Sequence, residues 1–470
     1  MTRTPAGEDT TETPRSSTPP SNGAPDSLGA RLFDNTTLSF LDVIIRKGGT
    51  TLVFVLLVRL LEPSDIAAIG IGSGYLLAIG FLDVAPIRAL LRDYPHVARD
   101  QRRRDQLLSG LLGFWLAQAA VMFIACGLLD ALVLAKFELD GLSLLFWAMT
   151  ADYVVLTLQD WIRIVFYADF RQGTATRISF LINFARLLVY LLLLVDPSLE
   201  LYSWLLIGTS VCMALWWSVA FQRHYHLRLR IARSAAEELW TSLRSYGLWD
   251  HFNRMATDVL FLVDTVVLSA FGLLALLDSY TIAIKFASML FLIPIQLHFA
   301  LQLALANVGG ELGRQRAING FLKLTAVISV MQLLFVIVLG DWALRLLFGT
   351  DLKPEVFTFT LIITGGVTIM NIAWPLVSVI NNLCDLRLAF FRAFLPATVL
   401  GLLQYVLFAD RYGTLGVAWA NVTGYLTLAV ALAWFVGRQY PFRLDRRLVT
   451  RRELVILRRL WRQRFQRAGA

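Results

Sequence analysis

Twelve stretches of mostly apolar residues recur along the chain, each near the roughly 20 residues that a helix needs to cross a hydrocarbon core about 30 Å thick. They fall at roughly 38–61, 66–91, 107–129, 142–162, 178–195, 201–221, 249–270, 275–306, 320–340, 356–380, 390–409 and 414–436. Short turns such as "EPSD" and "DPSLE" alternate with longer polar loops such as "RDYPHVARDQRRRDQ" and "QRHYHLRLRIARSAAEELWTSLRSYG". The pattern predicts an all-α polytopic membrane protein. Its segments are a tail at 1–37, six helices over 38–221, a basic linker at 222–248, six helices over 249–436 and a basic tail at 437–470.

Composition agrees. Apolar residues make up 57% of the 470 and charged residues only 16%, against about a quarter charged in soluble chains; the mean hydropathy is +0.62. The first 30 residues are rich in Ser, Thr, Pro and Gly, a composition that cannot offset the entropy of ordering and is expected to be disordered. They hold no apolar core of a secretory signal, so the first span is expected to act as its own uncleaved signal. Cys126, Cys212 and Cys384 lie far apart in apolar surroundings and read as packing residues rather than a disulfide framework.

The positive charge marks topology. About 32 of the 43 Lys and Arg fall on the side of the N-terminus, about 4 on the other side and about 7 within spans, which predicts cytoplasmic termini. No nucleic-acid motif accompanies the formal charge of +9, so a nucleic-acid partner is not expected. In the tail "RRLVTRRELVILRRLWRQRFQR", Leu454, Leu457, Trp461 and Phe465 share one helical face among arginines, the pattern of an interfacial helix on an anionic inner leaflet.

Seven cations sit inside spans: Arg46, Lys47, Arg59, Arg88, Arg186, Arg254 and Lys285. Left bare, they would cost on the order of 20 kcal/mol, so most need water, a partner or a ligand. Helical spacing offers Asp42 to Arg46, Glu62 to Arg59 and Asp258 to Arg254, and Arg88 lies close enough to its span end to snorkel. Lys47, Arg186 and Lys285 have no local acid and lie near the expected midplane. Two readings stay open for these three: pairing with acids on other helices, such as Asp83, Asp152, Asp160 or Asp264, or a hydrated, positive cavity made to hold an anion.

Gly48-Gly49, Pro86, Pro294, Gly365-Gly366, Pro375 and Pro396 are candidate kinks of the sort found in carriers. Asn183, Gln296, His298, Gln302, Asn371, Asn381 and Asn382 add polarity, either for helix–helix hydrogen bonds or for a glycan. His96, His224, His226, His251 and His298 are scattered, His224 and His226 lie in a basic loop without nearby Cys or acid ligands, and there is no phosphate-binding loop, so neither a metal, a cofactor, an ATPase engine nor an enzyme is expected.

Residues 263–306 contain Asp264 to Leu268, then Tyr280 and Ala283, then Pro294. This resembles the "D-x-x-x-L", "Y-x-x-A" and Pro elements of the polysaccharide transporters, the Wzx-type O-antigen and exopolysaccharide flippases of the MOP exporter superfamily. "LVRLLEPSDIAAIG" at 57–70 resembles that family's first turn, with Glu62 where Gly is usual. Against the related MurJ-type lipid II flippases, Lys285 stands on the Arg of "Y-x-A-D-R-L" and Lys47 on the first Arg of "S-R-V-L-G-F-x-R"; the second falls on Val53. The resemblance implies two six-helix lobes around a central cavity, with Lys47 facing it from one lobe and Lys285 from the other. It also implies a flippase of the bacterial inner membrane for polyprenyl-pyrophosphate-linked oligosaccharide, working by alternating access, with a polysaccharide polymerase as a candidate partner. Arg46, Arg254 and Arg186 are further substrate-binding candidates. The alternative is a cation-coupled multidrug exporter of the MATE type, for which Asp83, Asp258 and Asp264 are coupling candidates.

Overall fold

In a computed structural model the described residues are 28–84, 94, 100–229 except 138, 140 and 170, then 237, 239–308 except 242, and 310–440. Among them the chain is helical, with no strand. The helices are α1 (Leu28–Leu60), α2 (Pro63–Gly80), α3 (Gln101–Leu132), α4 (Leu142–Ala168), α5 (Gln172–Tyr190) and α6 (Leu199–Tyr225). There follow α7 (Leu248–Ala270), α8 (Leu277–Met289), α9 (Leu292–Asn307), α10 (Glu311–Phe348), α11 (Pro354–Leu383) and α12 (Leu395–Gln439). Arg88, Pro86 and the tail helix expected beyond 440 lie outside the described residues, as does the expected disordered tail up to residue 27.

These helices make twelve passes. The helices α8 and α9 are one pass, broken ahead of Pro294, which sits in the first turn of α9 where a missing N–H is harmless. The helix α12 is two passes joined at Gly413, whose φ of +58° and ψ of −141° are open to glycine and hardly to any other residue. Taken alone, eight helical stretches among the described residues are long and apolar enough to cross a membrane, one of them the 54-residue Leu386–Gln439 that holds both final passes. The helices α1 and α7 fall short because charged residues interrupt them: Arg31, Asp34, Asp42, Arg46, Lys47 and Arg59 in one, and Asp250, Arg254, Asp258 and Asp264 in the other. The protein is a multi-pass membrane protein. Its outer faces are apolar, with Ile124, Leu128, Leu334, Val338, Leu407 and Val430 exposed, a surface suited to lipid.

The first six helices pack among themselves, α1 on α5, α4 on α6, and α2 and α3 on α4. The last six do the same, α11 lying against α8, α9, α10 and α12, and α7 against α12. The two lobes meet where α2 lies on α7 and α8, and where the end of α1 meets α8, α9 and α10. Glycines make the first contact possible. A Cβ on Gly74 would stand 3.2 Å from the backbone nitrogen of Val266 and press on Thr265, and one on Gly70 would press on Thr281. Both lie in "GIGSG", a small-residue stripe that lets helices approach closely. Gly49 and Gly366, anticipated as kinks, also serve close approach, to Asn183 and to Val422 respectively, and their helices stay unbroken.

Candidate functional site

The lobe interface holds most of the charged residues found within the passes. Because α1, α2, α4, α7 and α8 surround it, one cluster of side chains is drawn from both lobes.

On the terminus side of the cluster, Arg46 forms ion pairs with Asp42 at 3.3 Å and Asp160 at 3.6 Å. Arg163 shares the same two acids, at 3.6 and 2.8 Å, and Tyr167 donates to Asp42 at 2.8 Å. Opposite this group, Arg254 of α7 reaches across the lobes to Asp83, pairing at 3.3 Å and donating to its backbone carbonyl at 2.7 Å. His251 contacts the carbonyl of Phe81 at 3.0 Å. The expected partner of Arg254, Asp258, is within electrostatic reach but forms no ion pair among the described residues; the turn after α2 offers Asp83 instead.

Deeper in, the two lysines differ from these arginines. Lys47 is exposed, although helices surround it, and no carboxylate lies within ion-pairing distance among the described residues; its charge neighbours are Arg46, Asp160, Arg163 and Asp258. Lys285 is half-buried and, among the described residues, donates only to Ser73 Oγ, at 3.3 Å on the other lobe. Its charge neighbours are Lys47 and Asp264. The two ammonium groups, one from each lobe, lie within electrostatic reach of each other, and such like charges repel by Coulomb's law, a repulsion that a bound anion would relieve.

Asp264, 1% exposed, accepts from Tyr280 Oη at 3.0 Å and from the Thr265 amide at 2.8 Å. That bond ties the Asp264 element of α7 to the Tyr280 element of α8. Asp258 is half-buried among the charges of Arg254, Asp83 and Lys47. The cluster is therefore balanced on paper, Arg46, Lys47, Arg163, Arg254 and Lys285 against Asp42, Asp83, Asp160, Asp258 and Asp264. Accessibility breaks the balance, since Asp42, Asp83 and Asp264 are buried while Lys47 is open.

Arg186 stands apart. It pairs with Asp152 at 2.9 Å, donates to Tyr190 Oη at 3.2 and 3.3 Å and lies over the Tyr190 ring, all within the first lobe. Its structure follows the cross-helix pairing reading. Arg59 does not pair with Glu62 either. It donates to the carbonyls of Leu346 and Leu347, groups left free at the end of α10 that attract a cation.

On this turn side Phe54 and Phe286 each pack edge-on against Phe348, with ring centroids 6.0 and 6.5 Å apart, and Phe348 with Arg59, Asp278, Arg345 and Lys353 lines a vestibule of about 890 Å³. The candidate glycan-facing residues mostly bond within the helices: His298 with Ser378 at 2.6 Å, Asn371 to the Leu290 carbonyl at 3.2 Å, Asn183 to the Ser179 carbonyl at 2.7 Å. Arg163 and Ser73 were not anticipated. A span ended at the last apolar residue, 162, hid the first, and a lone Ser among glycines carries no signal for the second.

No family model and no curated protein matches the sequence. Solved structures do. The lipid II flippase MurJ in an inward closed conformation matches with a TM-score of 0.64 at 15% identity, over 86% of this chain and 87% of that one. The MATE transporter VcmN of Vibrio cholerae matches at 0.59 and 14%, over 87% and 97%. A MOP superfamily transporter from Pyrococcus furiosus, described as having a binding pocket of reverse polarity, matches at 0.55 and 13%, over 87% and 95%. The chain has the MOP transporter fold. That fold accounts for the two lobes, and Lys47 comes from one lobe and Lys285 from the other.

Proposed function

We propose that the protein is a transporter, not an enzyme, that carries a polyprenyl-pyrophosphate-linked oligosaccharide from the cytoplasmic to the outer leaflet of a bacterial inner membrane, with both termini cytoplasmic. The observation that carries this reading is the pair Lys47 and Lys285, one from each lobe, within electrostatic reach of each other and without an ion-paired carboxylate among the described residues. A pyrophosphate would bridge them by charge-assisted hydrogen bonds. Since the lysines belong to different lobes, the same anion would couple binding to the lobe rearrangement that alternating access needs. Arg46 and Arg254 are engaged by acids and act as a fixed positive wall; Arg186 acts in packing. The test is charge reversal: Lys47→Glu or Lys285→Glu in the native host abolishes surface polysaccharide at unchanged levels of folded protein, and unaltered polymer refutes the role.

One observation favours a second reading, a cation-coupled exporter of the MATE type: Asp258 and Asp264 sit in the second lobe without ion-pair partners among the described residues. Drug resistance conferred on a pump-deficient host, and lost in Asp264→Asn, supports that reading over the first.

A further inference from the structure

The first lobe contains a cleft unrelated to the charged cluster. The helices α3 and α6 both pack on α4, and toward their terminus-side ends they leave a cavity of about 370 Å³ floored by Leu158, Trp161, Ile162 and Val165 and walled by Leu111 and Phe221. Ser218 and Gln222 are its only polar linings among the described residues. On both flanks the helices present lipid-facing side chains, Leu116 and Val121 from α3 and Leu215 and Val219 from α6. The mouth therefore opens sideways into the bilayer.

The terminus-side rim is basic. Arg223 and Arg228 are exposed, Arg228 lying between the lining residues Leu227 and Leu229 and Arg223 next to Gln222; Arg102 is exposed in the first turn of α3, whose later residues Leu108, Leu111 and Leu112 line the cleft. The nearby acids are already engaged. Asp105 is buried and bound by Arg104 at 3.1 Å and by the Arg228 amide at 3.4 Å. Asp169 accepts from Tyr94 at 3.1 Å, and Asp100 caps α3 through the amides of Arg102 and Arg103. An apolar slot of this size opening into lipid, with uncompensated guanidiniums at headgroup level, is the complement of an anionic phospholipid: chain in the slot, phosphate on the arginines.

We propose that this cleft holds an acyl chain of an anionic membrane phospholipid whose phosphate is bound by Arg102, Arg223 and Arg228. The full-length protein in nanodiscs is tested with phosphatidylglycerol carrying a photoreactive diazirine in mid-chain, followed by peptide mapping. Labelling is expected on 107–115 and 155–165, displaced by unlabelled phosphatidylglycerol and not by phosphatidylcholine. The double variant Arg102→Gln/Arg228→Gln is expected to lower it at least threefold while labelling of α10 at 334–338 is unchanged, and Leu111→Trp, which fills the slot, is expected to abolish it on 155–165. Equal displacement by phosphatidylcholine, unchanged labelling in the arginine variant, or stronger displacement by a polyprenyl phosphate would each overturn the assignment, the last reassigning the slot to the tail of a transported lipid.

Discussion

Replacing Arg186 by Met tests whether this cation belongs to packing or to the substrate path. Its pair with Asp152 is 2.9 Å long, with the two side chains 15% and 16% exposed. Breaking a buried pair by removing one partner costs about 3–5 kcal/mol, because the other charge is left uncompensated. Two features lower that figure: Ser210 still donates to Asp152 at 2.7 Å, and both side chains retain some access to water, so a loss of about 2–3 kcal/mol is expected. In Arg186→Met/Asp152→Asn no charge is stranded. What remains is the lost bond from Arg186 to Tyr190, whose hydroxyl keeps Thr209 at 3.5 Å, so the double variant should lie about 1 kcal/mol below the wild type. The double variant is thus more stable than Arg186→Met, a reversal that a double-mutant cycle of thermal or denaturant unfolding in detergent resolves. A double variant less stable than either single variant, or Arg186→Met as stable as wild type but unable to support transport, would refute the structural assignment.

Three further outcomes follow from the lobe contacts. Gly74→Val should weaken the seating of α2 on α7 and lower stability by about 1–3 kcal/mol, as overpacking does, measured by the same unfolding assay, whereas Gly113→Ala, with open space at its Cβ, should be nearly neutral. Arg59→Gln should leave the end carbonyls of α10 without their cation and loosen the turn-side closure; a cysteine in place of the buried Ile282 should then react severalfold faster with a water-soluble maleimide, and an unchanged rate would show that Arg59 is not a latch. Asp83→Asn should strand Arg254 and reduce stability by about 2–3 kcal/mol, with Asp83→Asn/Arg254→Gln recovering part of the loss.

The twelve passes were legible because hydropathy reports what lipid demands, and the break at Pro294 was legible because proline has a steric reason to sit there, whereas the positive-φ Gly413 that joins the last two passes was marked only by the gap between two apolar stretches. The helix ends were not. The helix α10 runs from Glu311 to Phe348, well past the apolar stretch of 320–340, since a helix keeps its hydrogen bonds after leaving the hydrocarbon. The absence of local acids around Lys47 and Lys285 could be read from helical spacing, and Asp42 was correctly offered to Arg46 for the same reason. Pairings between helices, Arg254 with Asp83, Arg186 with Asp152 and Arg59 with the α10 carbonyls, depend on how neighbouring helices are rotated, which one chain's periodicity does not encode. The glycine stripe at 70–74 passed unnoticed because small residues are common in membrane helices and only the facing Thr265 and Thr281 show what the stripe is for.

The central claim is that Lys47 and Lys285 together receive a pyrophosphate. Its most direct test is calorimetric titration of the purified protein with farnesyl pyrophosphate, a short lipid pyrophosphate, at low and high salt. Removing either lysine as Lys47→Gln or Lys285→Gln should weaken binding about 10- to 100-fold, the loss of a charge-assisted hydrogen bond worth roughly 1.5–3 kcal/mol, and added salt should weaken the wild type more than the variants. Binding of equal strength in wild type and both variants would contradict the claim.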